Sequence, residues 1–165
     1  MYLLRHVIRL SACILLTCLC ANVLRGQTTT SYTDSFKGGA NHSSADKRLT
    51  VIGQASGILP GYLMLVINLN AATGAVGDGE WTLMVTKQNQ DGSSAEIGRL
   101  KGTLRGGTVT FDKRGAVTSV DGIQLTIKGG TGDYAHAESG RGMFGGLSRT
   151  DESLQTFDGT LTLTF

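Results

Sequence analysis

Few residues of this chain have the type and spacing that chemistry demands, and most of those fall in one stretch. Residues 127–142 read Ile-Lys-Gly-Gly-Thr-Gly-Asp-Tyr-Ala-His-Ala-Glu-Ser-Gly-Arg-Gly. Tyr134, His136, Glu138 and Arg141 bring a phenol, an imidazole, a carboxylate and a guanidinium close together along the chain. In a pocket, Glu138 and Arg141 could bind and orient the polar group of a substrate. On an open surface they are an ordinary pair worth well under ~1 kcal/mol. His136, and His42 in the polar N-terminal stretch, have no second histidine or carboxylate cluster at ligand spacing, so no metal site is expected and His136 reads as a loop residue. Gly140-x-Gly142-x-x-Gly145 spells the dinucleotide fingerprint, but that fingerprint works only between a strand and a helix, with an acidic residue about 20 positions on. Residues 146–165 read instead as a turn and a strand. No Gly-Lys-Ser/Thr triplet and no Gly-x-Ser-x-Gly elbow occurs, and no cofactor is expected.

The large aromatics suggest binding rather than reaction. Tyr62, Trp81 and Tyr134 are candidate wall residues for a small apolar or aromatic ligand, with Tyr134 plugging a glycine corner. Glu80 beside Trp81 would gain a raised pKa if both entered one pocket. Neighbours in a strand face opposite ways, however, which places Trp81 in the core and Glu80 on the surface of a turn.

The elements that must position these residues are strands. From residue 49 onward apolar and polar residues alternate with period two. Trp81, Leu83 and Val85 share one face, as do Ile123, Leu125 and Ile127, and as do Leu161, Leu163 and Phe165 against a row of threonines. Residues 62–69 are apolar on both faces until Asn68, which fits a strand covered on both sides or lining part of a cavity. Gly106-Gly107 and Asp121-Gly122 read as tight hairpin turns, 112–115 as a four-residue turn, and 88–94 as a longer loop. Twenty-four glycines against one proline, Pro60, suit a curved sheet, and short strands at this spacing predict an all-β sandwich or closed barrel.

The N-terminus reads as an export signal over residues 1–26. Arg5, His6 and Arg9 precede an apolar run from Leu10 to Leu24, shorter than the roughly 20 residues a membrane span needs. The alternative is an uncleaved anchor. Cys13, Cys18 and Cys20 all lie in this leader, so the remaining chain has no disulfide and no cysteine-based zinc site. Residues 27–48 read as a flexible polar leader with one short strand near 32–36, carrying the glycosylation sequon Asn41-His42-Ser43. Residues 49–165 form the single domain. The expected location is secreted, periplasmic or extracellular, with no membrane contact after cleavage. Three of the fifteen basic residues, Arg5, Arg9 and Arg25, lie in the leader, and all thirteen acids lie beyond it. The processed chain is near neutral, and nucleic acid is not an expected partner.

Gly129-Gly130-Thr131-Gly132, then Tyr134, Ala137 and a further glycine, resembles the signature of the allene oxide cyclase and dirigent barrels. The stretch Thr156-Phe157-Asp158-Gly159-Thr160, with an alternating final strand, is similar to bacterial members with that barrel. The resemblance is closest over residues 98–165 and extends back to about residue 50. It implies an eight-stranded antiparallel barrel with a central cavity, often a homo-oligomer. It also implies cofactor-free chemistry, either cyclisation of a fatty-acid epoxide or steering of phenoxy-radical coupling. Where dirigent proteins carry Ala-Arg-Gly after the aromatic, this chain reads Ala137-Glu138-Ser139-Gly140, and Arg141 comes later. Fold does not fix function. Three functions therefore stay open: a binding barrel for a small apolar or aromatic ligand, a cofactor-free cyclase, isomerase or dirigent-like enzyme, and a structural extracellular protein without a ligand.

Overall fold

The computed structural model describes residues 29–70, 73–151 and 154–165. The export segment expected over 1–26 lies outside the described residues. Nine strands follow in order: β1 (Ser31–Ser43), β2 (Arg48–Ser56), β3 (Gly61–Leu69), β4 (Val76–Gln88), β5 (Ser94–Arg105), β6 (Thr108–Phe111), β7 (Val117–Gly132), β8 (Gly140–Asp151) and β9 (Leu154–Thr164). The described residues contain no helix. Every pairing is antiparallel. The sheet runs β5-β4-β3-β2-β1-β9-β8-β7-β6, and a further β5–β7 ladder closes it into an eight-stranded barrel in which β6 extends β5. Closure satisfies both edges of every barrel strand, which an open sheet leaves unpaired.

The period-two pattern decides what enters the interior. Leu63, Leu65, Ile67 and Leu69 of β3, Trp81, Leu83 and Val85 of β4, and Ile123, Leu125 and Ile127 of β7 are all buried. The rings of Phe36, Phe144 and Phe157 cluster inside, with centroids 5.3, 6.3 and 6.0 Å apart in edge and stacked arrangements. These side chains form one continuous buried cluster through the barrel. The other face of β3 is not covered: Tyr62 and Met64 point outward and are exposed.

Three local expectations change. Residues 31–43, placed in the polar leader, form the thirteen-residue strand β1, paired with β2 on one side and β9 on the other. Its polarity is that of a strand with one wet face and small residues near its end. Gly106-Gly107 is not a hairpin. Arg105 pairs with Gln124 and Thr108 with Asp121, so β5 and β6 follow one another along β7. Asp121-Gly122 is likewise a bulge inside β7, between Val120 and Ile123. Gly106, Gly107 and Gly122 all have positive φ, at 65, 87 and 65°, so two facing ribbons bend together at one corner. The reversal itself occurs over Asp112–Ala116, where Asp112 Oδ1 accepts hydrogen bonds from the N–H groups of Arg114 and Ala116, each at 2.8 Å. The loop expected at 88–94 is present and closes with the Asn89 N–H donating to the Ser93 carbonyl at 2.7 Å.

Candidate functional site

One end of the barrel gathers the start of β1, the turn after β2, the loop after β7 and the end of β9. The β7–β8 loop is short and wound tightly on itself: Tyr134 N–H donates to the Thr131 carbonyl and Ala137 N–H to the Tyr134 carbonyl. This folds Tyr134 back over the barrel mouth. Gly98 of β5 leaves room for it, since a Cβ there would lie 3.0 Å from the Tyr134 ring. Tyr134 packs edge-on against Phe165 at 6.2 Å, and Tyr32 stacks on the same ring at 5.0 Å. Phe165 is fixed by paired backbone hydrogen bonds with Thr30, at 3.1 and 3.2 Å.

Beside this aromatic group lies a cleft of about 590 Å³, within the size range of small-molecule sites. Tyr32 and Phe165 line it with apolar surface, and His136, Glu138 and Arg141 line it with polar groups. Glu138 and Arg141 both line the cleft, and among the described residues no ion pair joins them. Burial, with the charges of Tyr32, Asp133 and Asp34 adding to it, holds the Tyr134 phenol above its ordinary pKa. At neutral pH it is therefore a hydrogen-bond donor and not an anion.

Asp34 lies below this group, 2% exposed, on the inner face of β1. Its Oδ1 accepts from the N–H of Ile58 at 2.5 Å, and its Oδ2 from the N–H of Leu59 at 3.0 Å. A carboxylate that binds the backbone of the β2–β3 turn is a structural clamp, and it holds one wall of the barrel mouth.

The residues singled out in the sequence divide. Tyr134, Glu138 and Arg141 come together at the barrel mouth. Trp81 does not join them. It is 1% exposed in the core, and its indole N–H donates to the Thr126 carbonyl at 3.3 Å, which binds β4 to β7 across β5. Glu80 is exposed on the outer face, as alternation requires, though within β4 and not in a turn. Tyr62 stands on the outer face of β3, 54% exposed and away from the cleft. Tyr32 and Phe165 were missed, although both continue the inward-facing alternation at the ends of their strands. Compared with protein-family models, with curated proteins and with solved structures, the chain finds no match in any of the three.

Proposed function

We propose that this chain is an exported binding barrel, of the kind the allene oxide cyclase and dirigent signature suggests, which takes a small aromatic or apolar ligand at its mouth. The observation that carries this reading is the cleft itself, lined by the stacked Tyr32 and Phe165 together with His136, Glu138 and Arg141. Such sites combine apolar lining with a few placed polar groups. An aromatic ligand would add a third ring to the existing stack, and Arg141, Glu138 or His136 would bind its polar substituent. The test is a thermal-shift screen of phenolic, indolic and fatty compounds. Stabilisation by RT ln(1 + [L]/Kd) predicts a shift of a few degrees at saturating ligand, lost in Phe165→Ala. A panel without any saturable shift would count against the reading.

The convergence of His136, Glu138 and Arg141 on the same cleft favours a second reading, in which the site is a cofactor-free cyclase, isomerase or guide of radical coupling. Here the charged groups would orient a reactive ligand. Glu138→Gln and Arg141→Gln would then change product ratio while leaving ligand-induced melting shifts in place. Unchanged product ratios in both variants would end this second reading.

A further inference from the structure

The outer wall of the barrel carries a groove of about 660 Å³ over β7, β8 and β9, and the geometry points to a second binding site there, for a small organic ammonium ion with an apolar body. The groove shares no lining residue with the mouth cleft, and its volume lies within the range of small-molecule sites. Met143 and Leu147 stand on β8 two positions before and two positions after Gly145. Alternation puts all three on the outward face, where Met143 and Leu147 are 57 and 59% exposed. They line the groove with apolar surface on either side of the gap that Gly145 leaves.

Packing does not require glycine at that gap. A Cβ at Gly146 would lie 2.5 Å from the Phe157 ring, and one at Gly159 would lie 2.7 Å from the Gly145 carbonyl oxygen, so the interior and the backbone demand those two glycines. A Cβ at Gly145 would make only ordinary contacts, 3.4 Å from the Val120 carbonyl oxygen and 3.8 Å from Asp121 Oδ1. Gly145 is not among the glycines with positive φ. The place a side chain would fill is therefore open, and the nearest polar atoms around it are oxygens.

Those oxygens select the ligand. The bulge of β7 between Val120 and Ile123 carries Asp121 and brings its carboxylate beside the open place. Asp121 is exposed, and among the described residues no cation pairs with it. Thr160, directly opposite Gly145 on β9, adds a hydroxyl to the lining. Asp158 also lines the groove, but it already has a partner and faces Lys37 across the β1–β9 ladder, which leaves Asp121 as the open carboxylate. A carboxylate, a carbonyl and a hydroxyl can accept three hydrogen bonds, the number an ammonium group donates. The bond to Asp121 is charge-assisted and the strongest of them. Met143 and Leu147 then cover the carbon skeleton, and the Met143 sulfur makes a favourable contact with an aromatic ring. An anionic ligand would meet Asp121 with like charge, and a neutral one would forgo the charged bond. The class that fits is the primary arylalkylamine.

The experiment is calorimetric titration of the chain as isolated from its native source with phenethylamine, beside phenethyl alcohol and phenylpropanoate, while the methionine methyl signals are followed by nuclear magnetic resonance. The amine should bind saturably, about tenfold or more tighter than the alcohol or the acid, and more weakly in high salt. The Met143 methyl should shift, and those of Met64 and Met84 on β3 and β4 should stay in place. Asp121→Asn should weaken amine binding about tenfold, and Gly145→Leu, which fills the open place, should abolish it. Melting curves confirm that the variants fold. Should either not fold, the preference for the amine and the Met143 shift in the unaltered chain decide alone. No saturable binding of the amine, equal binding of amine and alcohol, a silent Met143 with shifts confined to the mouth around Phe165, or unchanged affinity in Asp121→Asn overturns the assignment.

Discussion

Asp34 and Tyr134 set the properties of the barrel mouth. Asp34→Ala removes the acceptor of the buried Leu59 N–H, while the Ile58 N–H lies at the surface and can turn to water. The expected loss is about 1–3 kcal/mol, read from denaturant unfolding. Tyr134 predicts an alkaline effect. Its folded pKa is raised above the unfolded value, so the stability it contributes is complete below about pH 10 and declines as pH rises through the folded value. Ultraviolet titration of the phenols should show one group ionising late, absent in Tyr134→Phe. That variant should also flatten the fall of stability above pH 10. Some of this was legible. Strict alternation puts Tyr32, Asp34 and Phe36 on one face, so Asp34 could have been read as buried. Its partners in the 58–59 turn could not be read, because contacts across 24 positions leave no trace in a local pattern.

At the scale of elements, glycine has two roles that composition alone cannot separate. Gly107 has positive φ in a crowded corner, where a Cβ would lie 2.5 Å from the Asp121 carbonyl oxygen and 2.8 Å from the Ile123 nitrogen. Gly115 has a similar φ of 82° in the 112–116 turn, with nothing within 4 Å of its Cβ position. Gly115→Ala should therefore cost about 1 kcal/mol from backbone conformation alone, and Gly107→Ala clearly more, compared by chemical unfolding at matched conditions. The same ambiguity explains why Gly106-Gly107 and Asp121-Gly122 read as hairpins. A glycine pair shows where a ribbon bends, but whether it bends or reverses depends on which strand lies opposite. The period-two rhythm, by contrast, placed the inner residues of β4, β7 and β9 correctly, while β3, apolar on both faces, gave no such signal. Only the 32–36 part of strand β1 was expected, because Gly38, Gly39 and Ala40 break that rhythm beyond it.

For the whole molecule, closure and burial act together. The ring of eight strands encloses the cluster around Trp81, Phe36, Phe144 and Phe157, so the inward face supplies stability while the mouth supplies the open, mixed surface a ligand needs. The resemblance read from the glycine motif led to the barrel, and the aromatic list drawn from sequence mixed three environments: core for Trp81, outer wall for Tyr62 and mouth for Tyr134. Only the closed fold separates them. The central claim is that recognition occurs at the mouth, and the most direct measurement is mapping by nuclear magnetic resonance during titration with a stabilising aromatic compound. Saturable shifts should gather on Tyr32, His136, Arg141 and Phe165 and leave the methyl groups of Leu65, Leu83 and Leu100 in place. Shifts centred on those interior methyls, with the mouth silent, would contradict it.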